Sequence, residues 1–325
     1  MTALYHHHRP WHAARALPVF SIVTPSYNQG RYLAATIESV LSQEGDFAID
    51  YVITDGGSKD DSVAIIESYQ ARLQDGRWPV KCRGITYRWL SEKDRGQTDA
   101  IRKGFAMATG ELLAWLNSDD TYLPGALARA QRALAGAEVV YGKSQFTDEH
   151  GTVIGKYPTE PFDATRLASF NFIAQPSTFF TKHALEAVGG LDPSLHYVMD
   201  YDLWVRLSRE FELAYVPEFL STFRLHDESK TVSPAHALAN QKETLEAVTK
   251  YYGWAPINRV YAYAHQRLRS KLNVGELPLV LLSVPYAAAK YVHMNRGVRL
   301  ADLRMLNVTN LRKVFMKPTE LSKLY

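Results

Sequence analysis

The chain has 325 residues and a mass of 36.7 kDa, more than one ordinary core holds, so a large core with an appendage, or two domains, is expected. Hydrophobic residues at 46% and charged residues at 22% exclude a disordered chain, and a net charge of +3 gives no ground for nucleic-acid binding. A single cysteine, Cys82, excludes an internal disulfide and a cysteine-based zinc site, which points to a reducing, cytoplasmic setting.

Residues 1–17 carry His6, His7, His8 and His12 without an apolar run, and read as a flexible arm, not a secretory signal. From Val19 a short apolar run gives way to the turn-rich Pro25–Gly30, and Leu33, Ile37, Val40 and Leu41 then recur at helical spacing. The same strand, loop and helix return from Ile49 through Asp55-Gly56-Gly57-Ser58 to Val63, Ile66 and Tyr69, and from Ile85 through Glu92–Gln97 to Ile101, Phe105 and Ala108. A fourth strand, Leu112–Leu116, ends in Asn117-Ser118-Asp119-Asp120, with Pro124 placed for the first turn of the next helix; Val139–Tyr141 gives a fifth strand. This alternation predicts an α/β fold, a doubly wound and mostly parallel sheet flanked by helices. Residues 142–235 mix short strands with helices near Lys182–Val188 and Met199–Trp204, and 236–325 read as a basic, mainly helical extension.

Ligands of such sheets bind beyond the carboxyl ends of the strands, where the four polar loops fall. A dinucleotide fingerprint is missing, and Gly151–Lys156 is one residue short of a phosphate-binding P-loop. What remains is the carboxylates Asp55, Asp94, Asp119 and Asp120, hard oxygen ligands that suit magnesium or manganese bridging a diphosphate. Taken singly, Asp55 reads as a turn former and Asp119 or Asp120 as a helix cap; their shared location favours a site.

Thr24-Pro25-Ser26-Tyr27-Asn28, Asp55-Gly56-Gly57-Ser58, Asn117-Ser118-Asp119-Asp120 and Asp200-Tyr201-Asp202-Leu203-Trp204 together resemble glycosyltransferase family 2, over about residues 18–230. The resemblance implies a GT-A fold, a nucleotide-sugar donor, inversion and a divalent cation, Mn2+ or Mg2+. It makes 18–141 the nucleotide-sugar half and 142–235 the acceptor half of a catalytic domain. It further implies that Pro25 and Tyr27 line the base pocket, Asp55 bonds the base or ribose, and Asp94 and Gln97 lie near the nucleotide. Asn117 then faces ribose or metal water, Asp119 binds the metal beside Asp120, and Asp200 is the general base. Arg224-Leu225-His226 resembles an Arg-x-His element whose histidine approaches the metal or diphosphate. Two positions depart from the pattern: Asn117 replaces an aspartate, and Met199 replaces a glutamate that often precedes the base.

Trp204, Phe170 and Phe172 read either as core or as a stacking surface for a sugar or lipid acceptor. A sugar nucleotidyltransferase is disfavoured, because only Arg31 follows the first loop where a basic, glycine-rich loop is needed. A non-catalytic nucleotide-binding protein leaves the separate Asp119 and Asp200 unexplained. The acceptor expected is a glycan or lipid-linked precursor of a cell-surface polysaccharide. Residues 251–325 hold twelve Lys or Arg against three acids, which predicts attraction to an anionic membrane surface, while the thirteen-residue apolar run Leu277–Ala289 is too short to cross one.

Overall fold

The structure, a computed structural model, describes residues 17–227, 229, 233–299 and 302; the expected arm up to residue 16 and the end of the extension from 303 lie outside these. The strands are β1 (Val19–Ser26), β2 (Ala48–Asp55), β3 (Gly84–Ser91), β4 (Leu112–Trp115), β5 (Thr121–Tyr122), β6 (Val139–Thr147), β7 (Val153–Lys156), β8 (Thr178–Thr181) and β9 (Leu213–Arg224). The helices are α1 (Gly30–Leu41), α2 (Ser62–Gln74), α3 (Gln97–Met107), α4 (Ala126–Leu134), α5 (Ala164–Ser169), α6 (Lys182–Ala187), α7 (Met199–Glu210), α8 (Pro234–Tyr252), α9 (Ile257–Arg269) and α10 (Glu276–Asn295). The chain forms two compact units. The first gathers residues up to Lys143 with Ala174–Gly190 and Leu207–Thr222; the second gathers Ser144–Ile173, Leu191–Arg206 and the chain from Phe223.

In the first unit β3-β2-β1-β4 are parallel, joined through α1, α2 and α3, as the alternation of patterns predicts. β8 then runs antiparallel to β4 and β6 antiparallel to β8, and β9 and β5 complete the order. β1 is buried from Phe20 to Ser26, and such two-sided burial is why its apolar residues, Phe20, Ile22 and Val23, do not alternate strictly with polar ones. Phe20, Ile22, Leu33, Ile37, Ile53, Leu116 and Phe179 belong to one core, with the Phe20 and Phe47 rings edge to face at 5.3 Å. The helix expected at Pro124 starts at Ala126 instead, because Pro124 and Gly125 form a turn after β5 and Gly125 takes a left-handed φ of 76° ahead of the first helical turn.

In the second unit the stretch weighed as a P-loop is half of a hairpin. β7 pairs with Gln145–Thr147, and Gly151 turns at φ 86°. Leu245, Ile257, Val260, Tyr261, Ala264, Ala287 and Tyr291 make a core between α8, α9 and α10. Among the described residues no helix is long and apolar enough to cross a membrane.

The packing of α3 on β1 leaves no room for a side chain at Gly104, where a Cβ would lie 2.3 Å from Val23 Cγ1. Gly104→Ala is therefore expected to cost about 1–3 kcal/mol by overpacking, read as a lower midpoint in urea unfolding.

Candidate active site

Three polar loops meet beyond the carboxyl ends of β1, β2 and β3 in the first unit. Asn28, at φ 51°, donates its N–H to Ser58 Oγ at 2.7 Å and accepts the Lys59 N–H on Oδ1 at 2.8 Å, fixing the first loop to the second. The first N–H of α1, from Gly30, donates to Asp60 at 2.9 Å, so this helix is capped from the neighbouring loop. Pro25 is buried, whereas Tyr27 just beyond it is 58% exposed and offers an aromatic face.

Asp55 ends β2. Its Oδ2 accepts from the Gly57 and Ser58 N–H groups at 3.0 and 2.9 Å and from the Ser91 hydroxyl at 2.6 Å, and its Oδ1 accepts from the Ser58 hydroxyl. A carboxylate has about four acceptor sites, so this loop occupies them and Asp55 holds Gly56–Ser58 in shape. Gly56 is left bare, and a Cβ on it would lie 2.6 Å from Asp94 Oδ2 and 3.2 Å from the Tyr27 ring. Asp94 is oriented by the Gly96 N–H, which donates to its Oδ1 at 2.8 Å. Tyr27 and Asp94 thus close directly on the bare Gly56 backbone, which brings the loops after β1, β2 and β3 to one place.

At the end of β4, Asn117 Oδ1 accepts from Gln97 Nε2 at 2.7 Å, and its Nδ2 donates to Gln175 Oε1 at 3.1 Å and to Asp120 Oδ2 at 3.4 Å. Gln175 is held in turn by donating to the Trp115 carbonyl at 2.8 Å. A carboxylate at position 117 would face two acceptors here, so the amide suits its surroundings. The backbone of this loop is pinned by the Thr36 hydroxyl, 2.7 Å from the Asp120 carbonyl and 2.9 Å from that of Ser118. Asp120 is buried and Asp119 half-buried.

Among the described residues no three His, Cys, Asp or Glu side chains cluster to hold a metal unaided. Asp119 and Asp120 supply hard oxygens, and ions of the magnesium type bind through one or two carboxylates with substrate phosphates and water completing the shell. The donor set fits an ion that arrives with a diphosphate.

The second unit contains Asp200, in the first turn of α7. Asn171 Nδ2 lies 3.4 Å from Asp200 Oδ2, and Glu243 of α8 accepts the N–H groups of His196, Tyr197 and Val198 at 2.9, 2.5 and 2.9 Å. Burial of the carboxyl, with the Glu243 charge adding to it, pushes Asp200 up to about 6 despite the hydrogen bonds it accepts. Asp202 differs: it is 1% exposed and bound by Arg206 at 2.7 Å and by the Tyr251 hydroxyl.

Trp204 and Phe172 are fully buried core residues, so neither is a stacking surface, and Phe170 lies against the Arg166 guanidinium at 5.3 Å. The segment around His226 is tied by Arg224 Nη1 to the Glu149 carbonyl at 3.0 Å and by the Leu225 N–H to the Thr147 carbonyl at 2.8 Å; His226 itself is buried. The structure therefore groups Pro25, Tyr27, Asp55, Asp94, Gln97, Asn117, Asp119 and Asp120 in the first unit, and Asp200 and His226 in the second. Gln175, Asn171 and Glu243 are additions that belong to none of the sequence motifs.

A family model described as Glycosyl transferase family 2 matches residues 21–186. An uncharacterised glycosyltransferase of Rickettsia typhi is 26% identical over 242 residues, covering 71% of this chain and 70% of the relative. S. aureus TarS 1–349, solved in complex with UDP-GlcNAc, matches at a TM-score of 0.54 and 14% identity, over 85% of this chain and 89% of that one. The mannosyltransferase PcManGT from Pyrobaculum calidifontis, solved with GDP-Man and Mn2+, matches at 0.52 and 15% identity, over 93% and 82%. At such identities the likeness is one of fold, and that fold is GT-A.

Folded Asp200 holds its proton up to about pH 6, against 3.8 for an ordinary aspartate, so its ionisation makes the protein less stable as pH rises between these values. Asp200→Asn, which cannot ionise, should match the wild type near pH 4 and exceed its unfolding free energy above pH 6, by on the order of 3 kcal/mol at most. A mere helix-capping role predicts the opposite, a loss at both pH values.

Proposed function

The chain belongs to glycosyl transferase family 2, and from that premise we propose that it moves one hexose from a nucleotide-sugar donor to a glycan or lipid-linked acceptor, with inversion at the anomeric carbon. The observation that carries the reading is the meeting of Tyr27, Gly56 and Asp94 beyond the carboxyl ends of the parallel strands, where the strand order turns outward from β1. In this reading Tyr27 stacks on the base against Pro25, and Asp94 and Gln97 face the nucleotide. Asp55 serves the base or ribose through the loop that it holds.

Asp119 is the residue to hold a divalent cation, with Asp120 beside it and His226 as a further ligand. When bound, Mn2+ or Mg2+ supplies Lewis-acid stabilisation of the departing diphosphate. Asn117, fixed between Gln97 and Gln175, keeps the Asp119 loop in register. Asp200 takes the proton from the acceptor hydroxyl as its oxygen attacks the anomeric carbon from the face opposite the diphosphate. A carboxyl with a pKa of about 6 is ionised at neutral pH yet more basic than an ordinary aspartate, which suits this task.

The acceptor is assigned to the cytoplasmic face of the membrane, as a precursor of a cell-envelope polysaccharide. Two features support the assignment. The region from 251 onward is basic, and α10 exposes Leu277, Leu281 and Val284 at 71, 65 and 51% between Glu276 and Lys290. Its other side, with Leu279, Ser283, Ala287 and Tyr291, is buried. An apolar face with basic surroundings suits a helix lying in the interface of an anionic leaflet.

A panel of nucleotide sugars with manganese, read by nucleotide release, identifies the donor. With that donor, Asp119→Ala should lose manganese-dependent donor binding and most turnover, while Asp120→Ala retains more; the reverse result moves the metal to Asp120. Asp200→Asn should keep donor affinity and lower kcat by about 10²- to 10⁴-fold. In the wild type, kcat/KM should fall about tenfold per pH unit below pH 6, as Asp200 becomes protonated.

The full chain should co-sediment with anionic liposomes, detach at high salt, and bind less after Leu281→Gln with Val284→Gln. Equal binding to neutral and anionic liposomes, or none to either, rejects the membrane assignment.

A further inference from the structure

Arg259, in the first turn of α9, is a cation with unmet hydrogen bonds. Its Nε and Nη2 atoms are closed to solvent and meet no acceptor among the described residues. The guanidinium lies over the Tyr201 ring, with Cζ 5.9 Å from the centroid, and its electrostatic neighbours are Tyr201, Tyr157, Tyr252 and Arg166. Arg166 has a counter-ion, with its Nε 2.6 Å from Glu160. The adjacent Asn258 donates its Nδ2 to the Ser169 carbonyl at 2.8 Å, and its buried Oδ1 meets no donor among the described residues, Arg259 included. Three phenols and a second guanidinium thus surround Arg259, and burial holds its pKa below the ordinary arginine value.

A desolvated guanidinium with no anion is an expensive arrangement. Nε and Nη2 share one edge of the group, and their parallel N–H bonds match two oxygens of a phosphate or a carboxylate. The edge is also connected to Asp200. The Tyr157 hydroxyl donates to the Asn171 carbonyl at 2.9 Å, the Asn171 amide lies 3.4 Å from Asp200, and Tyr157 senses the charges of both Asp200 and Arg259. Tyr201, beneath the guanidinium, directly follows Asp200 in α7.

We propose that Arg259 is an acceptor-binding residue whose Nε–Nη2 edge takes an oxyanion, phosphate or carboxylate, carried by the molecule that Asp200 deprotonates. The proposal rests on the reading of Asp200 as the base and deepens it: the acceptor is anionic near its reacting hydroxyl. Arg259 as a whole is half-buried, and the proposal requires its side chain to shift so that the closed edge meets the ligand.

The test compares thermal unfolding of full-length wild type, Arg259→Lys and Arg259→Gln in inorganic phosphate, glucuronate or chloride at matched ionic strength. At least one oxyanion should raise the wild-type midpoint above that in chloride. Its apparent affinity should fall by about 10- to 100-fold in Arg259→Gln, and by less in Arg259→Lys, which keeps the charge without the fork. A response to phosphate alone marks a phosphorylated acceptor, one to glucuronate alone a uronic acid, and one to both an edge that accepts either. No oxyanion effect in the wild type overturns the proposal. So does an effect undiminished in the variants, which would trace it to the donor-diphosphate site. If Arg259→Gln does not fold, wild type and Arg259→Lys carry the comparison. The base assignment fails separately, when Asp200→Asn retains turnover while the Arg259-dependent effect persists.

Discussion

The position of β1 between β2 and β4 is the constraint on which the nucleotide half depends. Parallel neighbours deliver their carboxyl ends to the same edge, so the loops after β1, β2 and β3 have no choice but to meet. Register does the rest. Ser26 stands opposite Asp55 and Asp55 opposite Ser91, which is why the Ser91 hydroxyl reaches the Asp55 carboxylate and why the Gly56 backbone lies bare between Tyr27 and Asp94. The Ser21 hydroxyl, opposite Asp50 and donating to its Oδ2 at 2.6 Å, holds this register, because a slip of one residue would exchange the two buried faces of β1 and part the pair.

The second unit shows two carboxylates in one helical turn put to opposite uses. Asp202 is satisfied by Arg206 and Tyr251 and anchors α7. Among the described residues Asp200 has one long side-chain contact, from Asn171, and it sits near a second negative charge, so it is held at a cost to folding. A group that the fold could relieve and does not is a mark of function, since sites commonly sacrifice stability for reactivity.

The parallel half of the fold was legible because each strand there is an apolar run bounded by turn residues, followed by a helix of clear period. β5 escaped notice at two residues, and β9 because Pro217 and Glu218 interrupt its pattern. The loop motifs were legible as chemistry; their partners were not. Gln175, Asn171, Glu243 and Arg259 take their meaning from contacts far along the chain, which no local spacing encodes. The aromatic residues Trp204 and Phe172 illustrate the same limit in reverse: their types suit a sugar surface, and only packing shows that they belong to the core.

Glu243 clasps the three N–H groups that precede α7, yet it lies eight residues beyond position 235, where the catalytic domain was expected to end. Modular inheritance is thereby restricted. A shortened chain that kept all four family motifs would lose the clasp, and an exchange of extensions between relatives would succeed only if α8 travelled together with residues 196–198. The contacts that hold the start of α7 thus reach into α8, beyond the last motif.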